Sequence, residues 1–247
     1  MRYVNLFLNL ALMSTTGLLQ AQQPMDTAKY RIVVIGSSTA AGAGASSPDS
    51  AWVGRYRAWL QTLHPENEVL NLALGGYSTY QLLPSNLFPP KYKPRPDTLR
   101  NITKALLLRP DAVIINLPSN DAASGYTLEE QLANFDKIVR KATCAGVPVW
   151  VCTTQPRNFS ADKILIQLLA RHALLEKFGR QAIDVWEGLS EPNGLLDPRF
   201  NSGDGTHLND EGHRVVFETV RTANIPGILG TLPKRSWIVR WWRWIWI

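Results

Sequence analysis

The chain has 247 residues, of which 45% are hydrophobic, and this suits one α/β domain with a sizeable core rather than two full domains. Its formal net charge is +6, but Arg2 and four basic residues among the last 17 carry five of these charges, which leaves +1 for residues 22–230. A nearly neutral body excludes the broad basic surface of a nucleic-acid-binding protein.

The first 21 residues predict a secretory signal peptide. Arg2 precedes an apolar run over residues 6–19, and Ala21 provides a small residue for cleavage. Polar residues interrupt the run, which is short for a membrane span of about 20 residues, and a retained membrane anchor is the alternative. We therefore expect a mature domain over residues 22–230 in a secreted or periplasmic protein.

Strand and helix patterns alternate along this domain. Apolar, β-branched runs predict strands, and amphipathic periodicity predicts helices. In chain order we expect a strand at 30–36, a helix at 47–64 that begins with Ser47 and Pro48, a strand at 68–74, a helix at 96–109, a strand at 111–118, a helix at 127–146, a strand at 147–154, a helix at 160–179, a strand at 181–187 and a helix at 209–223. This alternation predicts an α/β fold, a three-layer α/β/α sandwich around a parallel sheet of about five strands.

Small and polar residues follow the predicted strands. They are Ser37, Ser38 and Thr39 after the first strand, Asn71, Gly75 and Gly76 after the second, Asn120 and Asp121 after the third, and Asp204 and His207 in the long loop after the fifth. Ligands of parallel sheets bind at the carboxyl ends of the strands. A hydroxyl, an imidazole, a carboxylate, an amide and a glycine turn are the groups that acyl transfer requires there.

The turn at residues 36–45 does not fit the known phosphate-binding loops. A Walker-type loop requires a lysine after its last glycine, and none follows Gly44. A dinucleotide fingerprint requires glycine where Ser47 stands, and the lipase elbow G-x-S-x-G requires glycine where Ala40 stands. The sequence therefore implies no cofactor.

Two cysteines, Cys144 and Cys152, offer too few ligands for a metal site and form no CxxC spacing. Cys144 falls near a predicted helix end and Cys152 inside a predicted strand. A disulfide in an exported protein and two buried thiols remain as alternatives.

Four motifs in this order resemble the SGNH hydrolases, also called GDSL-like esterases and lipases. The motifs are IGSSTAAG, NLALGG, PSND and DGTH, and the resemblance covers roughly residues 30–222. It implies the flavodoxin-like fold of that family. It also implies that Ser38 is the nucleophile and that Asp204 and His207 complete a catalytic triad.

The same resemblance implies an oxyanion hole formed by the backbone N–H groups of Ser38 and Gly76 and by the side chain of Asn120. Three positions depart from the family pattern, which usually has Asp at Ser37, Gly at Pro118 and often Gly at Ala73. None of these departures removes a reacting group. Pro118 fixes φ and lacks an N–H, so we expect it to affect the shape of the acyl pocket.

The residues alone leave several roles open. Ser37 competes with Ser38 as the exposed hydroxyl, and only the family motif favours Ser38. Among the histidines, His207 is in a loop beside an acid, whereas His64 ends a predicted helix, His172 lies within one and His213 is expected to pack or cap.

Other strand-end residues have supporting interpretations. Asn71 and Asp121 are expected to bond loop backbone and so orient Gly76 and Asn120. Four more residues follow strand ends and either line the substrate cleft or lie solvated in loops: Tyr77, Tyr80, Gln155 and Arg157.

These features favour a secreted serine esterase for small-molecule or glycan esters with short acyl groups, such as acetyl. The alternatives are a lipase or lysophospholipase-type acylhydrolase, and an inactive carbohydrate- or envelope-binding module.

The tail over residues 231–247 contains five of the nine tryptophans and four basic residues, which suits contact with a membrane surface. Folding back onto the domain, and a tail without a role, are the alternatives.

Overall fold

A computed structural model describes residues 29–117 and 119–232 of the chain. The predicted signal peptide, Pro118 and the tail from residue 233 onwards lie outside the described residues, so the expectations for them stay predictions. None of the helices within the described ranges combines the length and apolar character needed to cross a membrane.

A five-stranded parallel sheet lies at the centre of the domain, as predicted. Its strands are β1 (Arg31–Gly36), β2 (Glu68–Asn71), β3 (Ala112–Asn116), β4 (Val149–Cys152) and β5 (Ala182–Ile183). They lie in the order β2-β1-β3-β4-β5, with Val34 of β1 between Asn71 of β2 and Ile114 of β3. This order places the ends of β1 and β3 side by side.

The described residues also form nine α-helices. They are α1 (Ser38–Ala41), α2 (Trp52–Leu63), α3 (Thr79–Leu82), α4 (Ile102–Leu107), α5 (Asn120–Ala123), α6 (Leu128–Cys144), α7 (Ala161–Phe178), α8 (Asp210–Thr222) and α9 (Ile225–Thr231). The predicted spans of α6, α7 and α8 are correct to within two residues. The short helices α1, α3, α5 and α9 were not predicted.

Helices cover both faces of the sheet, as the apolar run in β1 requires. Successive side chains of a strand point to opposite faces. Ile32 and Val34 pack in a core with residues of α2 and α8, whereas Val33 and Ile35 pack in a second core with residues of α4 and α6. These four β1 side chains are fully buried, so the sheet is the middle layer of a three-layer sandwich.

Helix α2 begins at Trp52, five residues after the predicted start at Ser47. Residues 47–50 instead form a turn in which the Ser50 N–H donates to Ser47, at 3.1 Å from both its carbonyl and its hydroxyl oxygen. The turn folds back onto the helix so closely that a Cβ at Gly54 would lie 2.1 Å from the Pro48 carbonyl oxygen. The predicted start of this helix at Ser47 was therefore wrong.

Helix α4 also begins later than the predicted residue 96. Its cap is Asn101, whose side-chain oxygen accepts the Lys104 N–H at 3.0 Å. The preceding Asp97 accepts a hydrogen bond from the Tyr77 hydroxyl, so this part of the chain is held against the residues after β2.

The two cysteines are free, so the disulfide alternative was wrong. Cys152 is buried inside the sheet, and burial raises the pKa of its thiol to about 12. Cys144 is exposed at the end of α6, so the alternative of two buried thiols holds for Cys152 alone.

His213 joins helix α8 to the start of α2. It is fully buried; its Nδ1 accepts the Trp52 N–H at 3.3 Å, and its Nε2 lies 3.0 Å from the Ala43 carbonyl oxygen. A neutral ring with its proton on Nε2 satisfies both contacts. Burial lowers the pKa of His213 below its usual 6.5, although the Ala43 contact opposes this shift.

The neutral state of His213 makes folding pH-dependent. Below about pH 6.5, His213 binds a proton in the unfolded chain but stays neutral in the folded chain. The contribution of His213 to the free energy of unfolding is therefore present above that pH and lost as the pH falls below it. We expect the difference in unfolding free energy between wild type and His213→Gln to shrink from pH 7.5 to pH 5.5 in urea titrations.

The exposed His172 provides the matched control. His172→Gln should stay within about 0.5 kcal/mol of wild type at both pH values, as surface substitutions usually do. A His213→Gln difference that does not change with pH would contradict the proposed cause.

Candidate active site

The ends of β1 and β3 bring two sequence motifs together. Helix α1 begins at Ser38 and α5 at Asn120, each a few residues beyond its strand. A Cβ at Gly36 would lie 2.2 Å from the Asn116 carbonyl oxygen, so only glycine allows this close approach. Ser37 completes the junction, since its hydroxyl oxygen accepts from Asn120 Nδ2 at 2.7 Å.

The two neighbouring serines differ in access. Ser37 is fully buried, whereas Ser38 keeps 8% of its surface exposed. Among the described residues, the Ser38 hydroxyl has no hydrogen-bond partner, whereas the Ser37 hydroxyl is bonded to Asn120. Ser38 is also the first residue of α1, where backbone N–H groups have no partner within the helix.

The loop after β2 lies beside Ser38. A Cβ at Gly75 would be 3.8 Å from the Ser38 Cβ, and Gly76 has a φ of +84°, which favours glycine. Asn71 fixes this loop to α1: its Nδ2 donates to the Ala40 carbonyl oxygen at 2.6 Å, and its Oδ1 accepts the Ala73 N–H at 3.0 Å. Asn71 therefore bonds loop backbone, as expected.

Asn120 and Asp121 connect the third motif to the residues after Gly76. Asn120 Nδ2 donates to the Tyr77 carbonyl oxygen at 2.9 Å in addition to Ser37. The Asp121 carboxylate accepts the Thr79 N–H at 3.0 Å and the Thr79 hydroxyl at 2.6 Å. Burial raises the pKa of Asp121 to about 6, although the bonds from Thr79 favour the charged form.

Asp204 and His207 share one closed loop. Residues 201 and 208 form an isolated antiparallel bridge, and the Ser202 N–H donates to the His207 carbonyl oxygen at 2.9 Å. Across the loop, Asp204 Oδ2 lies 2.6 Å from His207 Nδ1. Asp204 Oδ1 accepts the backbone N–H groups of Thr206 and His207, each at 2.8 Å.

These hydrogen bonds keep Asp204 ionised. Burial alone would raise the pKa of its carboxyl group, but the backbone and side chain of His207 and the backbone of Thr206 lower it to about 2. A charged Asp204 holds the His207 Nδ1 proton and leaves Nε2 free to accept one.

This loop packs against the segment that follows Ser38. A Cβ at Gly44 would lie 2.2 Å from the Leu208 carbonyl oxygen, so only glycine fits there. Ser46 donates its N–H and its hydroxyl to the Asp210 carboxylate at 2.7 and 2.5 Å. The hydroxyl-bearing turn and the imidazole-bearing loop are thus neighbours.

Across residues 29–117 and 119–232, no group of three His, Cys, Asp or Glu side chains could hold a metal ion.

Tyr77 and Tyr80 do not lie in solvated loops, although Tyr80 lines an open pocket together with Phe88 and Glu130. Both are buried, and the Tyr80 hydroxyl donates to Glu130 Oε1 at 2.8 Å, while the Tyr77 hydroxyl donates to Asp97. Burial raises the pKa of each tyrosine to about 12, and the neighbouring carboxylates add to this effect. Their role is to pack the region after β2.

Gln155 is also buried, whereas Arg157 is partly exposed. Gln155 bonds both Thr39 and Thr206, a pair of contacts that sequence reasoning missed although its position after β4 placed it at this edge. The Arg157 guanidinium lies 4.6 Å from the centre of the Phe159 ring. Partial burial lowers the pKa of Arg157, and the charge of Asp204 opposes that shift.

Residues 34–215 match the model of the GDSL-like Lipase/Acylhydrolase family. A search of the curated proteins finds no match.

Several solved structures share the fold. An acetyl xylan esterase, AlAXEase, is 18% identical with a TM-score of 0.59, and the match covers 79% of this chain and 100% of that one. A psychrotrophic esterase, EstA from Pseudoalteromonas sp., is 14% identical with a TM-score of 0.57, and the match covers 81% of this chain and 99% of that one. A GDSL-like lipase from Bacteroides thetaiotaomicron is 18% identical with a TM-score of 0.58, and the match covers 80% of this chain and 89% of that one.

Proposed function

This chain belongs to the GDSL-like lipase/acylhydrolase family, a family of ester-hydrolysing enzymes, and we propose that it is a serine esterase whose nucleophile is Ser38. The observation that carries the proposal is the 2.6 Å contact between Asp204 and His207 on a loop packed against the Ser38 segment. An ionised carboxylate, a neutral imidazole and a serine hydroxyl are the three groups of a hydrolytic triad.

In the first step, the Ser38 hydroxyl oxygen attacks the ester carbonyl carbon. His207 Nε2 takes the hydroxyl proton, and Asp204 stabilises the imidazolium that forms. His207 then gives this proton to the leaving alcohol, which produces an acyl-enzyme. Water, activated by the same imidazole, hydrolyses the acyl-enzyme and regenerates Ser38.

The negative oxygen of the tetrahedral intermediate requires hydrogen-bond donors. We assign this role to the backbone N–H groups of Ser38 and Gly76 and to the side chain of Asn120. The Asn120 amide nitrogen now donates to Ser37 and to the Tyr77 carbonyl oxygen, so its side chain would rotate to donate to the substrate oxygen. One such donor is typically worth about 2.7–4 kcal/mol of barrier.

The first prediction identifies the nucleophile. Ser38→Ala should abolish labelling by a fluorophosphonate probe and reduce p-nitrophenyl acetate hydrolysis by about 10³-fold or more. Ser37→Ala is the matched control and should still be labelled at Ser38, as shown by peptide mapping. Labelling of Ser38→Ala at the wild-type rate would overturn the assignment, and an unlabelled wild type would favour a binding module.

The second prediction concerns pH. The rate should rise between about pH 5 and pH 8, because histidine side chains lose their proton in that range and a general base must be neutral. Asp204, with a pKa of about 2, stays charged throughout. Asp121 has a pKa of about 6 and provides the control: Asp121→Asn should retain the rise. A flat profile in wild type, or a rise that disappears in Asp121→Asn, would contradict the role of His207.

We further propose that the substrates carry short acyl groups, with acetyl groups on glycans as the main class. No long apolar segment that could form a lid separates the four motifs, and an acetyl xylan esterase is among the proteins with this fold. We expect faster hydrolysis of p-nitrophenyl acetate than of the octanoate, and release of acetate from acetylated oligosaccharides. A preference for octanoate would instead support a lipase.

A further inference from the structure

Gln155 lies between the two halves of the proposed site. It follows β4 at the same edge of the sheet and is 1% exposed. The Thr39 hydroxyl donates to Gln155 Oε1 at 2.8 Å, and Gln155 Nε2 donates to the Thr206 carbonyl oxygen at 2.9 Å. Thr39 directly follows Ser38, and Thr206 directly precedes His207.

The chemistry of the two partners fixes the orientation of the Gln155 amide. The Thr206 carbonyl can only accept a hydrogen bond, so the NH₂ group must face it. The amide oxygen then faces Thr39, whose hydroxyl can donate. A flipped amide would place two acceptors against each other at Thr206, so one orientation alone satisfies both contacts.

The backbone around Gln155 is held as firmly as its side chain. The buried Gln167 of α7 donates from Nε2 to the Gln155 carbonyl oxygen at 2.9 Å and to Thr154 Oγ1 at 2.7 Å. Three residues further on, the Asn158 N–H donates to the Gly205 carbonyl oxygen at 2.8 Å. The segment after β4 therefore fixes the loop of Asp204 and His207 at two points, Gly205 and Thr206.

We propose that Gln155 is a positioning residue that sets the distance and orientation between Ser38 and His207. The inference rests on the proposed function, since it assigns Gln155 a role in the same site. Gln155 acts through Thr39 and Thr206 and does not touch the reacting atoms. Proton transfer depends steeply on the alignment of the hydroxyl and the imidazole. Loss of the hydrogen bonds from Gln155 to Thr39 and Thr206 should therefore lower kcat rather than raise KM.

The test replaces the amide while keeping the side-chain volume. Gln155→Met has nearly the same length, cannot donate to Thr206 and offers the Thr39 hydroxyl only a weakly accepting sulfur. We expect kcat for p-nitrophenyl acetate and the rate of fluorophosphonate labelling to fall about 10- to 100-fold, with KM within about 2-fold of wild type. Gln131→Met is the matched control, since Gln131 is also buried but bonds the Tyr126 carbonyl oxygen and neither Thr39 nor Thr206.

Gln131→Met should keep kcat and the labelling rate within about 2-fold of wild type, even if it loses as much unfolding free energy as Gln155→Met. Activity of Gln155→Met equal to that of this control would overturn the inference. A wild type that is not labelled at Ser38 would instead overturn the proposed function, so the two failures are distinguishable.

Thr39 supplies a second, independent measurement. Thr39→Val is isosteric and removes the hydroxyl that Gln155 accepts from, so it should also lower kcat, and Thr39→Ser should restore it. The double variant Thr39→Val/Gln155→Met should be no slower than Gln155→Met alone, because both changes break one bridge. Additive losses would contradict a shared role. If Gln155→Met does not fold, the comparison of Thr39→Val with Thr39→Ser decides the question by the same rates.

Discussion

The parallel pairing of β1 with β3 is the contact on which the rest of the structure depends. Residues 32–36 of β1 pair with residues 112–116 of β3, and their apolar side chains are buried on both faces of the sheet. The pairing continues past the strands, where the Ser37 N–H donates to the Asn116 carbonyl oxygen at 3.1 Å. Because β1 and β3 end side by side, α1 begins at Ser38 and α5 begins at Asn120 at the same edge of the sheet.

Buried polar side chains, rather than apolar packing, set the geometry beyond the strands. The half-buried Asn71 at the end of β2, the buried Asp121 in α5 and the buried Gln155 in a loop each bond a neighbouring segment. An unpaired polar group in such a place would cost about 1–3 kcal/mol, so each satisfied bond discriminates strongly against other loop arrangements. This explains how loops without regular structure can hold polar side chains in fixed positions.

The sequence predicted the strands from their apolar, β-branched runs and the long helices from their amphipathic period. The four residues of α1 or of α5 are too few to show a helical repeat, so the elements that present Ser38 and Asn120 were missed. The contact between Asp204 and His207 was expected, since the two are three residues apart. The contacts of Gln155 join residues 116 and 51 positions away, and no local pattern encodes such pairs.

The closed loop at residues 201–208 has a consequence for the order in which contacts form as the domain folds. Its central contact spans three residues, whereas the bond between Ser37 and Asn120 spans 83. Contacts between near neighbours cost little loop-closure entropy and can form early, while distant ones must await the sheet. The contact between Asp204 and His207 is therefore a local one, and the junction between Ser37 and Asn120 is a product of the finished topology. A nascent or partly folded chain can therefore close the contact between Asp204 and His207 before Ser37 and Asn120 meet.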